Sequence, residues 1–150
     1  MSDYDFHQLS PYDFEVFVRD LLQAHWKVTV ESFKAGRDGG IDLRYARAGY
    51  KVIVQVKHFA RTGLAGLLRE MKTEATKVQT LKPDRYVVVT SVPLSPANKD
   101  DLVKIVGPSF LNASDVFGRE DLNNLLGLNK QIEDRHYKLW LASRAVLGNR

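Results

Sequence analysis

Two short segments hold side chains fit for chemistry: Gly36-Arg37-Asp38-Gly39-Gly40-Ile41-Asp42 and, one hairpin later, Val52-Ile53-Val54-Gln55-Val56-Lys57. Asp42 offers anionic oxygens, Gln55 a neutral oxygen and Lys57 a positive point charge. That trio suits metal-assisted hydrolysis of a phosphodiester. Mg²⁺ is a hard cation that takes oxygen ligands, usually one or two carboxylates together with water and substrate phosphate. A bound metal acidifies water and polarises the phosphoryl oxygen. A lysine adds charge where negative charge develops. Mg²⁺ is therefore the expected cofactor, with Mn²⁺ as a substitute.

Strand geometry supplies the alignment. Side chains at i and i+2 share a face, so Ile53, Gln55 and Lys57 point one way while Val52, Val54 and Val56 point into a core. On the preceding strand Asp42 falls on the face opposite Ile41 and Leu43. A hairpin tip at Ala48-Gly49 brings Asp42 within reach of Gln55.

Each residue also has a plainer reading. An Asp beside a Gly stabilises turns, and Asp38 reads as such a loop residue. Asp42 alone would carry little weight; Gln55 and Lys57 behind it favour the chemical role. Lys57 could snorkel from a strand edge, but its place two residues after Gln55 argues against that. His58 falls on the face opposite Lys57 and reads as a structural or rim residue. His7, His25 and His136 lack ligand spacing, so zinc is not expected.

The chain has 150 residues, 44% hydrophobic and 27% charged, with no cysteine. That length makes one domain with a real core. The composition excludes disulfides and Cys-based zinc sites and fits a cytoplasmic protein. No apolar run reaches the roughly 18 residues that cross a bilayer, and the acidic N-terminus is unlike a signal peptide. The net charge is +4, but residues 34–85 hold 12 Lys/Arg against 5 Asp/Glu. This basic excess surrounds the candidate site and would attract phosphate backbones without reading sequence.

The elements that position these residues are legible. Ser10-Pro11 starts a helix as N-cap and first helical residue, and Phe14, Phe17, Val18, Leu21 and Leu22 recur on one face. Glu15 falls off the centre of that stripe, a position that lines a groove. Strands are predicted over residues 27–33, 40–46 and 51–58. Residues 63–81 read as a helix with Leu64, Leu67, Leu68, Met71, Ala75 and Val78 on one side and Arg69, Lys72 and Lys77 elsewhere. A buried strand over 85–90, a helix after Ser95-Pro96, an edge strand over 110–116 and a short helix over 119–126 follow. The order αβββαβαβα predicts an α/β fold with helices against a mixed sheet.

At Asp38-Gly39-Gly40-Ile41-Asp42 and Gln55-Val56-Lys57 the chain resembles the Mrr-type restriction endonucleases, a branch of the PD-(D/E)xK superfamily with Gln-x-Lys in place of acid-x-Lys. The resemblance covers roughly residues 10 to 126. It implies a PD-(D/E)xK restriction-endonuclease-like fold, a central mixed β-sheet flanked by helices. It implies Asp42 as principal metal ligand, Gln55 as second and the Val56 carbonyl as third. Lys57 would activate water or steady the transition state. Glu15 matches a glutamate that the family carries on its first helix facing the site. Because Gln55 brings no charge, Glu15 is the expected compensating ligand. The implied activity is Mg²⁺-dependent cleavage of double-stranded DNA leaving 5′-phosphate and 3′-hydroxyl ends, in bacterial defence against foreign DNA. Lys34, Arg37, Arg61 and Lys72 are the expected DNA contacts. A nuclease-like fold kept for DNA binding or assembly is the rival reading, and a junction or RNA nuclease is another. The completeness of the Asp, Gln and Lys set favours the enzyme.

Residues 1–128 read as the nuclease domain and 129–150 as a C-terminal helix, helical over 131–146. The segment Glu133-Asp134-Arg135-His136-Tyr137-Lys138-Leu139-Trp140-Leu141 is similar to the one joining Mrr-like domains to a STAND-type NTPase in anti-phage proteins. Either the tail leads to such a domain, which would drive homo-oligomerisation, or it docks on its own domain.

Overall fold

In a computed structural model of the protein, the described residues are 4–33, 41–47, 49–59 and 61–136. The elements run α1 (Pro11–Trp26), β1 (Glu31–Phe33), β2 (Ile41–Arg47), β3 (Tyr50–Lys57), α2 (Gly63–Leu81), β4 (Arg85–Thr90), α3 (Pro96–Val106), a 3-10 turn (Ala113–Asp115), β5 (Val116–Phe117), α4 (Arg119–Leu128) and α5 (Lys130–Arg135). The five strands lie in the order β1-β2-β3-β4-β5. β1, β2 and β3 pair antiparallel, while β4 and β5 join in parallel. The sheet is mixed and flanked by helices, as the element order predicts.

α1 begins where its cap dictates. The Ser10 side chain accepts from the Asp13 N–H at 3.0 Å, and Pro11 occupies the first turn. The stripe Phe14, Phe17, Val18, Leu21 and Leu22 is fully buried. It packs against Leu43, Val52, Val54 and Val56 on one face of the sheet, with α4 closing the same core. The opposite face carries Ile53, Tyr86 and Val88 against Leu67, Met71 and Val78 of α2 and Leu102 and Val106 of α3. Each such side chain taken from water contributes about 1.5–3 kcal/mol. The pleat of β3 thus divides its residues between two helical layers, valines toward α1 and the Ile53 face toward α2.

The β2–β3 hairpin sets the site's register. Its ladder runs from Ile41↔Val56 to Arg47↔Tyr50, leaving a two-residue connection. Gly49 takes φ +84° there, a left-handed conformation that glycine adopts without a Cβ penalty.

Four local expectations are corrected. The first strand begins at Glu31, not at 27: Lys27 turns left-handed at φ 58° to close α1, and Val30 N–H donates to the Gln23 side chain at 2.9 Å. That backbone is used in ending the helix. The predicted edge strand over 110–116 is instead a turn, a 3-10 turn and the two-residue β5. Asp115 N–H donates to the Asn112 carbonyl, and the Asp115 carboxylate accepts from Arg85 at 2.9 Å. These bonds hold the segment out of the ladder. The tail helix expected over 131–146 is interrupted at His136, which leaves helical geometry (φ −102°, ψ 68°) to reach Asp20 at 2.8 Å and meet the Phe17 ring edge-on. Residues 137–150 lie outside the described residues. Finally, Glu15 is buried, 7% exposed, rather than lining an open groove. No helix among the described residues is long and apolar enough to cross a membrane.

Candidate active site

The candidate site lies where β2 begins and β3 ends. Asp42 stands opposite Gln55 in the antiparallel ladder, and Gln55 stands beside Val88 of β4. Lys57 closes β3 beside Thr90. Gln55 is 3% exposed and Lys57 5%. Both follow Ile53 onto the α2 face, as the period-two reading predicts. The Asp42 side chain, like Lys34, Arg37 and Asp38, lies outside the described residues.

Lys57 is not isolated. Its Nζ donates to Glu74 Oε1 of α2 at 3.1 Å and lies 3.5 Å from Glu70 Oε1. Glu74 is itself buried and also meets Lys77 at 3.7 Å. A buried ammonium needs such a counter-charge, since an unpaired one is costly. The sequence reading missed Glu70 and Glu74. The signal was present: Glu74 interrupts the apolar stripe of Met71, Ala75 and Val78, so a carboxylate points into a packed face.

One residue beyond, His58 turns to the other layer. Its ring stacks on Phe14 of α1, with centroids 4.9 Å apart and planes at 23°. Its Nε2–H donates to the Leu9 carbonyl at 2.8 Å, which leaves Nδ1 to accept from the Ser91 hydroxyl at 2.7 Å. Burial lowers its pKa from 6.5, against the opposing pull of the Leu9 carbonyl. His58 is therefore a neutral structural link between β3, β4 and the N-terminal segment. Phe14 thereby brings the start of α1 to the end of β3. Glu15, the next residue, makes no hydrogen bond or ion pair with another described residue. No described contact joins it to Gln55 or Lys57.

Of the expected DNA contacts, Arg61 and Lys72 are exposed before and on α2. No three His, Cys, Asp or Glu side chains gather as a metal site among the described residues. The donors expected here are of a different make-up: two carboxylates, at Asp42 and Glu15, with the Gln55 amide oxygen and the Val56 carbonyl. All are oxygen donors, which suits a hard divalent cation.

The Mrr catalytic-domain family model, described as restriction endonuclease, matches residues 6–106. Uncharacterized protein y4cD of Sinorhizobium fredii (strain NBRC 101917 / NGR234) is 45% identical over 144 residues, which is 96% of this chain and 22% of that protein. The chain thus spans about a fifth of the length of this relative. No solved structure matches. The family match runs from the N-terminal segment through the paired strands to the end of α3, and the sheet it predicts is the sheet observed: the chain belongs to the Mrr restriction endonuclease family.

Proposed function

We propose that this domain is a Mg²⁺-dependent endonuclease that hydrolyses double-stranded DNA, with Asp42, Gln55, Lys57 and Glu15 as its working residues. The observation that carries the reading is the register of Asp42 opposite Gln55 with buried Lys57 two residues on, in a chain of the restriction endonuclease family.

A divalent cation, when bound, supplies an acidified water and a polarised phosphoryl oxygen. Asp42, Gln55 and the Val56 carbonyl would hold it. Glu15 adds the anion that Gln55 lacks, and its burial without a described partner leaves the carboxylate available for that role. Lys57 places positive charge beside the scissile phosphate and offsets the charge that grows there. Arg61 and Lys72, with Lys34 and Arg37, hold flanking phosphates, and such contacts position DNA without reading its sequence.

Residues 1–128 are taken as the nuclease domain and 129–150 as a connection whose first turn docks through buried Ile132. The y4cD relative is several times longer than this chain, and the resemblance of the segment Glu133 to Leu141 is the ground for proposing an NTPase that gathers several copies against foreign DNA. Fusing the chain to a tetramerising helix should then raise cleavage per domain, and an unchanged rate at equal metal and salt would contradict this.

The activity itself is tested by incubating linear duplex DNA with Mg²⁺ and then with ligase. Products that religate, and that vanish with EDTA, are expected. Products bearing 3′-phosphates, EDTA-insensitive cutting, or equal cutting of RNA would overturn the assignment.

A further inference from the structure

We propose that Glu74 of α2 is the positioning residue of Lys57, holding its ammonium in the place from which it meets the scissile phosphate. The inference rests on Lys57 serving the nuclease site.

Lys57 ends β3 on a flexible four-carbon stem, and a lysine ammonium carries no directional fork of its own. Something outside the strand must fix it. Glu74 Oε1 accepts from Nζ at 3.1 Å, with the side chains 4% and 5% exposed. Glu70, one turn earlier on the same helix face, lies 3.5 Å from the same nitrogen and is 41% exposed. The two carboxylates stand at i and i+4, the spacing that puts side chains on one face of a helix. One flank of the ammonium is therefore held from the protein interior and another from the solvent side. Nζ carries three donors, so one bond to Glu74 leaves others for a phosphate oxygen. Lys77, 3.7 Å from Glu74 Oε1, steadies the carboxylate in turn.

A purely structural role explains this less well. A buried ion pair is weak support for a fold, because apolar residues of like volume often serve as well or better. This one sits in a stripe otherwise filled by Met71, Ala75 and Val78, where an apolar residue would pack without an ionic partner. Its partner is the lysine of the Gln-x-Lys motif. Placement matters for chemistry in a way it does not for the fold, since a shift of about 1 Å in a reacting group can cost about 100-fold in rate.

The test uses the full chain with ¹³C-labelled lysine, and Lys57→Arg to assign the Lys57 signal. In the wild type the two Hε protons of Lys57 should have separate chemical shifts, as an ordered side chain requires. In Glu74→Gln they should merge. In plasmid nicking, Glu74→Gln should lower kcat about 10- to 100-fold with KM for DNA unchanged. Glu74→Asp keeps the charge but withdraws the carboxylate, and it should show an intermediate loss even if Glu74→Gln fails to fold. Retained Hε separation in a folded Glu74→Gln would overturn the proposal. So would an unchanged or raised kcat, or a rise in KM alone. If the wild type cuts nothing, the nuclease reading fails on its own, and the NMR comparison still decides whether Glu74 orders Lys57.

Discussion

Asp42 of β2 lies directly across the antiparallel ladder from Gln55 of β3. The pairing places a carboxylate-bearing position opposite an amide, where an acid-x-Lys site would offer two acids. In the proposed metal site this charge deficit is the main physical constraint, and it leads to the first expectation.

Glu15→Gln should weaken Mn²⁺ or Mg²⁺ binding nearly as much as Asp42→Asn, by roughly tenfold or more, because each removes one anion from a hard-cation site. Gln55→Glu should strengthen it. Isothermal titration reads all three. Unchanged affinity in Glu15→Gln would remove this residue from the ligand set.

The Lys57–Glu74 pair makes a stability prediction separable from catalysis. Both side chains are buried, so replacing one alone leaves the other with only its longer contact, Glu74 with Lys77 or Lys57 with Glu70. Lys57→Met or Glu74→Leu should each cost about 1–3 kcal/mol, while the double variant should cost clearly less than the two losses summed. Urea unfolding of the four proteins measures the coupling, and additive losses would show that the pair is not energetically linked.

His58 gives a pH dependence with a definite sign. Burial lowers its pKa below 6.5 in the folded chain, so the unfolded chain binds the proton more readily. The stability contributed by neutral His58 is fully present above pH 6.5. It is lost as pH falls from there toward the lower folded-state value. The urea midpoint should drop more between pH 7.5 and 5.5 in the wild type than in His58→Gln. An equal drop in both would mean that His58 is not the group responsible.

Arg61 and Lys72 are exposed and should act through phosphates. Arg61→Ala and Lys72→Ala should weaken binding to all duplex sequences alike, and each should reduce the salt slope by about 1. Fluorescence anisotropy over a range of salt concentrations reads this, and an unchanged slope would place that residue away from DNA.

Much of this was legible in the sequence because it follows local rules. Ser10-Pro11 marked α1, the alternation of Val52, Val54 and Val56 marked a strand packed on one face, and Gly49 marked the hairpin that sets Asp42 against Gln55. What escaped depends on contacts distant in the chain. The partnership of Lys57 with Glu74 spans 17 residues and two layers, and no spacing rule announces it. The 3-10 turn before β5 is held by Arg85 reaching Asp115, and the end of α5 by His136 reaching Asp20. Hydropathy alone read the first as a strand and carried the second past His136 without a break.

Asp42 and Lys57 are proposed to belong to one metal-dependent nuclease site. Plasmid DNA at low salt with Mg²⁺ or Mn²⁺, cut by wild type beside Asp42→Ala and Lys57→Ala, tests it most directly. Metal-dependent nicking by wild type, lost by at least about 100-fold in both variants, is expected. Nicking that survives in either variant, or DNA binding that persists in EDTA with no cleavage by wild type under any metal, would contradict it.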